Sequence, residues 1–313
     1  MLYLRRAVSF IPEHTAAVTE LRESLEISRS EVKLLTRFLG LDRIVVAAGL
    51  STLDMLLAIG QEALTGTDRS RVRFLIHAHT VQHVAPPSLR WMDVLRTRLD
   101  VEGATSFAVS HQGCAVGLSV LKVAESLLTA EPAGSTALVL IGEKALSSVT
   151  QHLPATSVLG DATAGVVVSL DGPGDAVLST AHRTLGEFHQ AMKMPEEAQR
   201  RYRRAYIPEL AAVMLDAVRR ADLELDDIDL VLPHNVNRYS WSTTARKLGL
   251  PLDRIYLENV SKTGHCFCAD PFMNLSTARA EGVVRPGTHV LLVSAGQGGT
   301  FAAAVARTST GQE

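Results

Sequence analysis

Ser106-Phe107-Ala108-Val109-Ser110-His111-Gln112-Gly113-Cys114-Ala115-Val116-Gly117-Leu118-Ser119-Val120-Leu121 contains a strand, a polar turn and the start of an apolar helix. The strand is short, apolar and partly β-branched, as strands buried on both faces are. The helical segment 114–127 is apolar on most sides, with Val116, Leu118, Val120, Leu121, Val123 and Leu127, the pattern of a central buried helix. Gly113 lets the backbone turn sharply between the two. The same unit recurs outward. On the N-terminal side, 74–79 reads as a strand, one helix opens with Ser51 or Thr52 as N-cap, and another opens at Pro87-Ser88. On the C-terminal side, strands are expected at 137–141, 165–168, 176–180, 229–232, 254–257 and 290–293. A last one, 301–305, follows a glycine cluster closely enough to pair with its predecessor as a hairpin, and a long helix is expected over about 195–223. Strands alternating with helices imply an α/β protein with a mostly parallel sheet. The scheme occurs twice, which suggests an internal duplication joined at Asp171-Gly172-Pro173-Gly174-Asp175. The expected halves are 1–171, carrying Cys114, and 172–313.

Composition narrows the function. The chain has 313 residues, with 31 Lys and Arg against 33 Asp and Glu, for a formal net charge of −2. Mean hydropathy is +0.13 and 46% of residues are hydrophobic, ordinary values for a globular chain. So small a charge argues against nucleic acid as the main partner. The three cysteines, Cys114, Cys266 and Cys268, do not form a disulfide framework and point to a reducing cytosol. Arg5 and Arg6 follow the apolar start, and no signal-like apolar stretch comes after them. No apolar run of about 18 residues is present to span a membrane. The expectation is a cytoplasmic protein without a membrane or nucleic-acid partner.

The chemistry gathers at a few residues. A thiol at a helix N-terminus, as at Cys114, feels the positive end of the helix dipole, which favours the nucleophilic thiolate. His234 ends a strand in Leu232-Pro233-His234-Asn235-Val236-Asn237, and His265 lies in the loop Lys262-Thr263-Gly264-His265-Cys266. A Cys–His–His set suits nucleophilic thioester chemistry: one histidine accepts the thiol proton, the other donates to a carbonyl oxygen. Asn235, Asn237 and Lys262 flank the histidines as candidate supporting residues. In Ser294-Ala295-Gly296-Gln297-Gly298-Gly299-Thr300, glycines after a strand let backbone N–H groups face a ligand. With the Cys114 N–H, those of Gln297 and Gly298 are oxyanion-hole candidates. As a phosphate loop the stretch is weak, since it lacks the G-x-G-x-x-G spacing and a following GK[ST]. Cys266 and Cys268 beside His265 supply too few ligands for a metal and read as structural thiols. Arg200, Arg201, Arg203 and Arg204 read as a solvated face, with an acidic carrier protein as the other candidate.

Five stretches then fall in a familiar order: Ala7-Val8-Ser9-Phe10-Ile11-Pro12, the Cys114 elbow, Leu159-Gly160-Asp161-Ala162-Thr163-Ala164-Gly165, Val231-Leu232-Pro233-His234-Asn235-Val236-Asn237, and Gly296-Gln297-Gly298-Gly299-Thr300-Phe301. The last three are similar to the F-G-D-G-A-G, V-P-H-Q-A-N and G-G-G-x-T-W motifs of the β-ketoacyl-ACP synthase III group of thiolase-fold condensing enzymes. Over nearly its whole length the chain resembles that family. The resemblance implies a thiolase fold, two βαβαβ-type halves layered α-β-α-β-α, and a homodimer. It implies that Cys114 takes an acyl group from an acyl-CoA or acyl carrier protein thioester, without a separate cofactor. His234 would be the first catalytic histidine, and the N–H groups of Cys114 and Gln297 would hold the oxyanion.

The sequence departs from the family at several points. His265 stands where the family has Asn, as in the Cys–His–His elongating ketosynthases. Gln297 replaces a glycine, and Ala162-Thr163 replaces Gly-Ala. The Trp and Arg that flank the CoA adenine have no counterparts, Lys33 and Leu153 falling near those positions, which favours a carrier-protein donor. His77, His79 and His83 lie where the family has a Thr-rich strand end. The leading expectation is decarboxylative Claisen condensation with a malonyl-type thioester in specialised polyketide or fatty-acid-type metabolism. Its alternative is acyl transfer to a hydroxyl or amine of a small-molecule acceptor. A non-catalytic partner subunit of a ketosynthase-like heterodimer is the third reading, and retention of Cys114 and His234 argues against it.

Overall fold

The structure, a computed structural model, describes residues 1–81, 84–86 and 88–310. Strands β1 (Leu2–Phe10), β2 (Val72–Ala78), β3 (Thr105–Val109), β4 (Thr136–Glu143) and β5 (Ala162–Ser169) precede the 171–175 turn. After it come β6 (Asp175–Thr184), β7 (Leu230–Leu232), β8 (His289–Gly296) and β9 (Thr300–Arg307). All nine form one sheet in the order β7-β8-β9-β6-β1-β5-β4-β2-β3. Strand β2 runs parallel to β3 and β4, and β5 is antiparallel between β4 and β1. The second half repeats this: β7 is parallel to β8, and β9 is antiparallel between β8 and β6. The halves join through a short antiparallel pairing of β1 with β6, from Leu2↔Val177 to Leu4↔Asp175.

The helices that matter here are α1 (Thr52–Ala63), α2 (Trp91–Arg98), α3 (Val116–Leu128), α4 (Glu196–Arg220), α5 (Arg238–Leu248), α6 (Glu258–Thr263) and α7 (Asp270–Ala280). Successive side chains of a strand point to opposite faces, so a strand between two helical layers needs apolar residues at every position. Ala137, Val139 and Ile141 of β4 enter a central core with Val120 and Leu121 of α3 and Phe272 and Leu275 of α7. Leu138 and Leu140 of the same strand face Leu56, Ile59 and Leu95 of α1 and α2. In the second half, Leu292 and Ala304 face the central core, while Leu291, Val293, Phe301 and Val305 pack against Leu210, Val213 and Met214 of α4. The result is five layers, α-β-α-β-α, with α3 and α7 in the middle. The Ser51 N-cap of α1 is present as a capping box with Asp54, and β8 and β9 form the expected hairpin.

Three expectations need correction. The sheet is mixed rather than mostly parallel: among the described strands five of its eight pairings are antiparallel and three are parallel, because β8 and β9 join as a hairpin and β1, β5 and β6 pair antiparallel across its centre. Residues 254–257 do not form a strand: a short turn of helix covers Leu252–Arg254, and one parallel bridge joins Ile255 to Val231 at the sheet edge. That bridge is all that remains of a counterpart to β3. Pro87, expected to open a helix, lies outside the described residues, and α2 begins at Trp91. Central β1 was not anticipated as a strand, because Arg5 and Arg6 interrupt its apolar pattern where the register with β5 shifts between Leu4 and Arg6.

Gly117 brings α3 close to the segment that precedes α7. A Cβ there would lie 2.4 Å from the Cys268 carbonyl oxygen and 3.2 Å from Ile141 Cγ2. Gly117→Ala should therefore destabilise the protein by about 1–3 kcal/mol, seen as a lower denaturation midpoint. An unchanged midpoint would mean that the two backbones separate freely.

Candidate active site

Cys114 lies in a short helical turn, Gly113–Ala115, that runs into α3, and it is 7% exposed. The turn touches the end of β8 because both contact residues are glycine. A Cβ on Gly113, whose φ is +54°, would lie 2.8 Å from Gly296 Cα and 2.9 Å from the Gln297 nitrogen. A Cβ on Gly296 would lie 1.9 Å from the Gln112 carbonyl oxygen. Ser294 Oγ donates to the Cys114 carbonyl at 2.8 Å and fastens the two segments together. The Gln297 backbone therefore borders the Cys114 turn while its side chain is exposed. Gly298 follows with φ +108°, a conformation that suits glycine.

His265 reaches the sulfur from the loop between α6 and α7. Its backbone N–H donates to Val158 O at 3.2 Å, and its carbonyl accepts from Gly160 N at 3.0 Å. Asp161 anchors that scaffold by accepting from the backbone N–H of Ala47 and Ala145, each at 2.9 Å. The Leu159-Gly160-Asp161 stretch thus holds the His265 loop in place. His265 Nε2 is 3.2 Å from Cys114 Sγ, and its Nδ1 is 2.5 Å from Asp270 Oδ2. Asp270 is fully buried. It also accepts from the backbone N–H of Asn235 at 2.5 Å and of Cys266 at 2.7 Å, and from Asn235 Nδ2 at 3.3 Å. Burial alone would lower the proton affinity of His265. Negative charge on Cys114 and Asp270, with their hydrogen bonds, outweighs burial and holds the imidazole pKa well above its ordinary value.

His234 follows β7. Its N–H donates to Val293 O at 2.9 Å, and its carbonyl accepts from Trp241 Nε1 at 2.8 Å. Its ring centroid is 6.0 Å from that of His265, and its Nε2 is 2.7 Å from Tyr206 Oη. Burial, and next the charge of His265, push its pKa down to about 3, so this imidazole is neutral. Tyr206 and Tyr202 lie one turn apart on α4, and Tyr202 Oη donates to Gly296 O at 3.3 Å. Burial raises the pKa of both phenols, and negative charge at Cys114 adds to the effect.

Cys114, His234, His265 and the Gln297 backbone therefore converge as the sequence suggested. Asn235 belongs to the site through Asp270 rather than by facing the sulfur. Asn237 caps α5, accepting from Ser240 N at 2.7 Å, and donates to Thr156 O at 3.1 Å. Lys262 is a correction: it is exposed on α6 and pairs with Glu258 one turn back at 3.7 Å, so it supports no reacting group. Sequence reasoning missed Asp270, Tyr202 and Tyr206. Asp270 opens a helix with Pro271 behind it, an N-terminal signal that reveals no partner. Tyr202, Tyr206 and Leu210 lie four residues apart, the stripe of a buried helix face.

The remaining candidates have structural surroundings. His77 is buried with Nε2 2.8 Å from Gly142 O, and burial, then His79, pushes its pKa down to about 3. His79 packs against Trp91, and His83 lies outside the described residues. Glu143 accepts from the backbone N–H of Thr80 and Val81, and burial pushes its pKa up to about 7. Cys266 and Cys268 are buried thiols whose pKa burial raises well above the ordinary value. Arg200 and Arg201 pair with Glu196 and Glu197 on an exposed face. Among the described residues, no three His, Cys, Asp or Glu side chains are grouped to hold a metal, and no helix is long and apolar enough to cross a membrane.

Residues 218–308 match the family described as 3-oxoacyl-[acyl-carrier-protein] synthase III C terminal. A β-ketoacyl-[acyl-carrier-protein] synthase III of Rhizorhabdus wittichii is 30% identical over 62% of this chain and 65% of its own length, just under two thirds. The Rhodospirillum rubrum protein of the same name is 26% identical over 96% of this chain and 97% of its own. Among solved structures, the acyltransferase ChlB3 superposes with a TM-score of 0.87 at 22% identity, over 99% of this chain and 98% of its own. The Aquifex aeolicus 3-oxoacyl-[acyl-carrier-protein] synthase III superposes at 0.81 and 18% identity, over 98% and 100%. Fold and site define a thiolase-fold enzyme with a buried cysteine at its centre. Its strand order, its motifs and these relatives point the same way: the chain is similar to the β-ketoacyl-ACP synthase III group.

Histidine NMR titration checks the link from Asp270 to His265. In Asp270→Asn the His265 midpoint should fall, since a charge that favours the imidazolium is removed. An unchanged midpoint would show that the carboxylate does not support that charge.

Proposed function

We propose that the protein is an acyltransferase that loads Cys114 from an acyl-CoA or acyl carrier protein thioester and passes the acyl group to a hydroxyl or amine of a small-molecule acceptor. The observation that carries this reading is the Cys114–His265–Asp270 chain of contacts, 3.2 Å and 2.5 Å long. A buried carboxylate behind an imidazole fixes its tautomer and favours its protonated form, the arrangement of a general base serving a nucleophile.

The cycle follows from the geometry. The Cys114 thiolate attacks the donor carbonyl. The N–H groups of Cys114 and Gln297 take the developing oxyanion, and protonated His265 gives its proton to the departing thiol. Neutral His265 then takes the proton of the acceptor hydroxyl or amine, and the heteroatom attacks the thioester. Collapse of the second tetrahedral intermediate releases the ester or amide and restores the thiolate beside the imidazolium. Decarboxylative condensation is the competing reading, supported by neutral His234 near His265 as a second donor and by the names of the synthase relatives. A carrier-protein or CoA donor, a second copy of the chain as dimer partner, and a cytoplasmic place in specialised metabolism belong to the same proposal.

Intact-protein mass after incubation with acyl-CoA and acyl carrier protein thioesters tests the first step. The gain should match the acyl group and be absent in Cys114→Ala. Hydroxyl or amine acceptors should then discharge the acyl-enzyme, and His265→Ala should slow that discharge by about 10²–10⁴-fold. Discharge only by malonyl thioesters, with CO₂ release, would replace this reading with condensation.

A further inference from the structure

We propose that Tyr206 sets the acceptor choice of this site by occupying the Nε2 of His234 and so withholding a hydrogen bond that a decarboxylating extender requires. The inference rests on the acyl-transfer reading above and deepens it.

In the excluded reaction, the bond between the malonyl carboxylate and the methylene breaks and CO₂ leaves. The electron pair delocalises onto the thioester oxygen, and the enolate carbon then attacks the acyl-Cys114 carbonyl and expels the thiolate. The site must meet the enolate oxygen with preorganised donors. Two imidazoles are near enough to share that oxygen, their centroids 6.0 Å apart. His265 presents Nε2 toward the sulfur. His234 has Nε2 already engaged at 2.7 Å by Tyr206 Oη. If that nitrogen carries the proton, it donates to the phenol oxygen; if not, it accepts from the phenol O–H. In both tautomers it is taken.

The phenol is well fixed. Its ring packs 6.0 Å from Tyr202 and 5.9 Å from Phe301, and its backbone belongs to the 25-residue helix α4. Burial keeps the phenol protonated, so a neutral partner faces a neutral imidazole. A hydroxyl or amine acceptor needs only His265 as base and loses nothing through this arrangement. Tyr206 is thus a specificity-determining residue, in contact with His234 and distinct from the Cys114–His265–Asp270 chain.

The test compares the unsubstituted protein, Tyr206→Phe and Tyr206→Phe/His234→Ala, each first acylated and then given a malonyl thioester. Phe keeps the ring and removes only the hydroxyl. Acylation of Tyr206→Phe should stay within about twofold of the unsubstituted protein, while CO₂ release rises on the order of tenfold or more as one oxyanion donor is freed. The gain should vanish in the double variant. An acylated Tyr206→Phe that releases no more CO₂ than the unsubstituted protein would overturn the assignment alone, as would a gain that survives loss of His234. Brisk CO₂ release by the unsubstituted protein would overturn the acyl-transfer reading, and the assignment with it. A measurement on the unsubstituted protein covers the case in which Tyr206→Phe does not fold. The ¹⁵N resonance of His234 Nε2 should stay put when a non-hydrolysable malonyl thioether is added, and a shift would show that the phenol yields and overturn the assignment.

Discussion

One buried carboxylate organises this site. Removing Asp270 from water costs several kcal/mol unless its oxygens are met in full. They are met by four donors: the backbone N–H groups of Asn235 and Cys266, the Asn235 side-chain amide, and His265. Asn235 follows His234 and Cys266 follows His265, so one carboxylate sets the backbone beside both imidazoles. A carboxylate accepts at both oxygens, whereas an amide would turn its own N–H group toward one pair of donors. The donor set therefore calls for an acid at this position. Asn274 closes the network behind it, donating to Pro233 O at 2.7 Å and Asn235 Oδ1 at 2.8 Å.

Cys114 comes from the other half of the molecule, and here the constraint is steric. In sheets of this kind, reacting groups gather beyond the carboxyl ends of strands. Cys114 follows β3, His234 follows β7 and the Gln297 amide follows β8, so both halves contribute the same ends. Their backbones approach closely where neither carries a Cβ, at Gly113 and Gly296. A side chain at either position would push the Gln297 backbone away from the Cys114 turn. The duplicated fold thus builds one site out of two strand-end clusters.

Much of this was legible because strand burial and helix starts leave local marks. The two-sided apolar runs of β4, β5 and β8 announced strands between helical layers, and Cys114, His234 and His265 were found from residue type and position at element ends. Asp270 was not, because an acid at a helix start is more commonly a surface residue responding to the helix dipole. Only the fold shows that two loops aim donors at it. Tyr206 was hidden differently: in sequence it is one more member of an apolar stripe, and the partner of its hydroxyl lies 28 positions away. Lys262 was misread beside His265, although its four-residue spacing from Glu258 already matched an exposed helical pair. The run 254–257 has the composition of a strand but finds one bridge, since pairing depends on available sheet edge as well as on residue type.

Two histidines whose centroids lie 6.0 Å apart thus have opposite proton affinities, and their surroundings explain both. Each is buried, which by itself favours the neutral ring. His234 faces a neutral phenol and a neighbouring positive ring, so burial prevails. His265 meets a carboxylate and a sulfur, and their negative charge prevails over the same penalty. The difference matters most when the sulfur is acylated. The thioester carries no charge, so one of the two supports of the imidazolium is lost while its burial remains. In the proposed cycle, His265 then holds its proton less tightly at the stage that needs a base for the incoming acceptor. When the acyl group leaves, the thiolate returns beside His265 and the imidazolium is favoured again. In that proposed cycle Cys114 adjusts the proton affinity of the imidazole beside it, and Asp270 keeps that imidazole aligned.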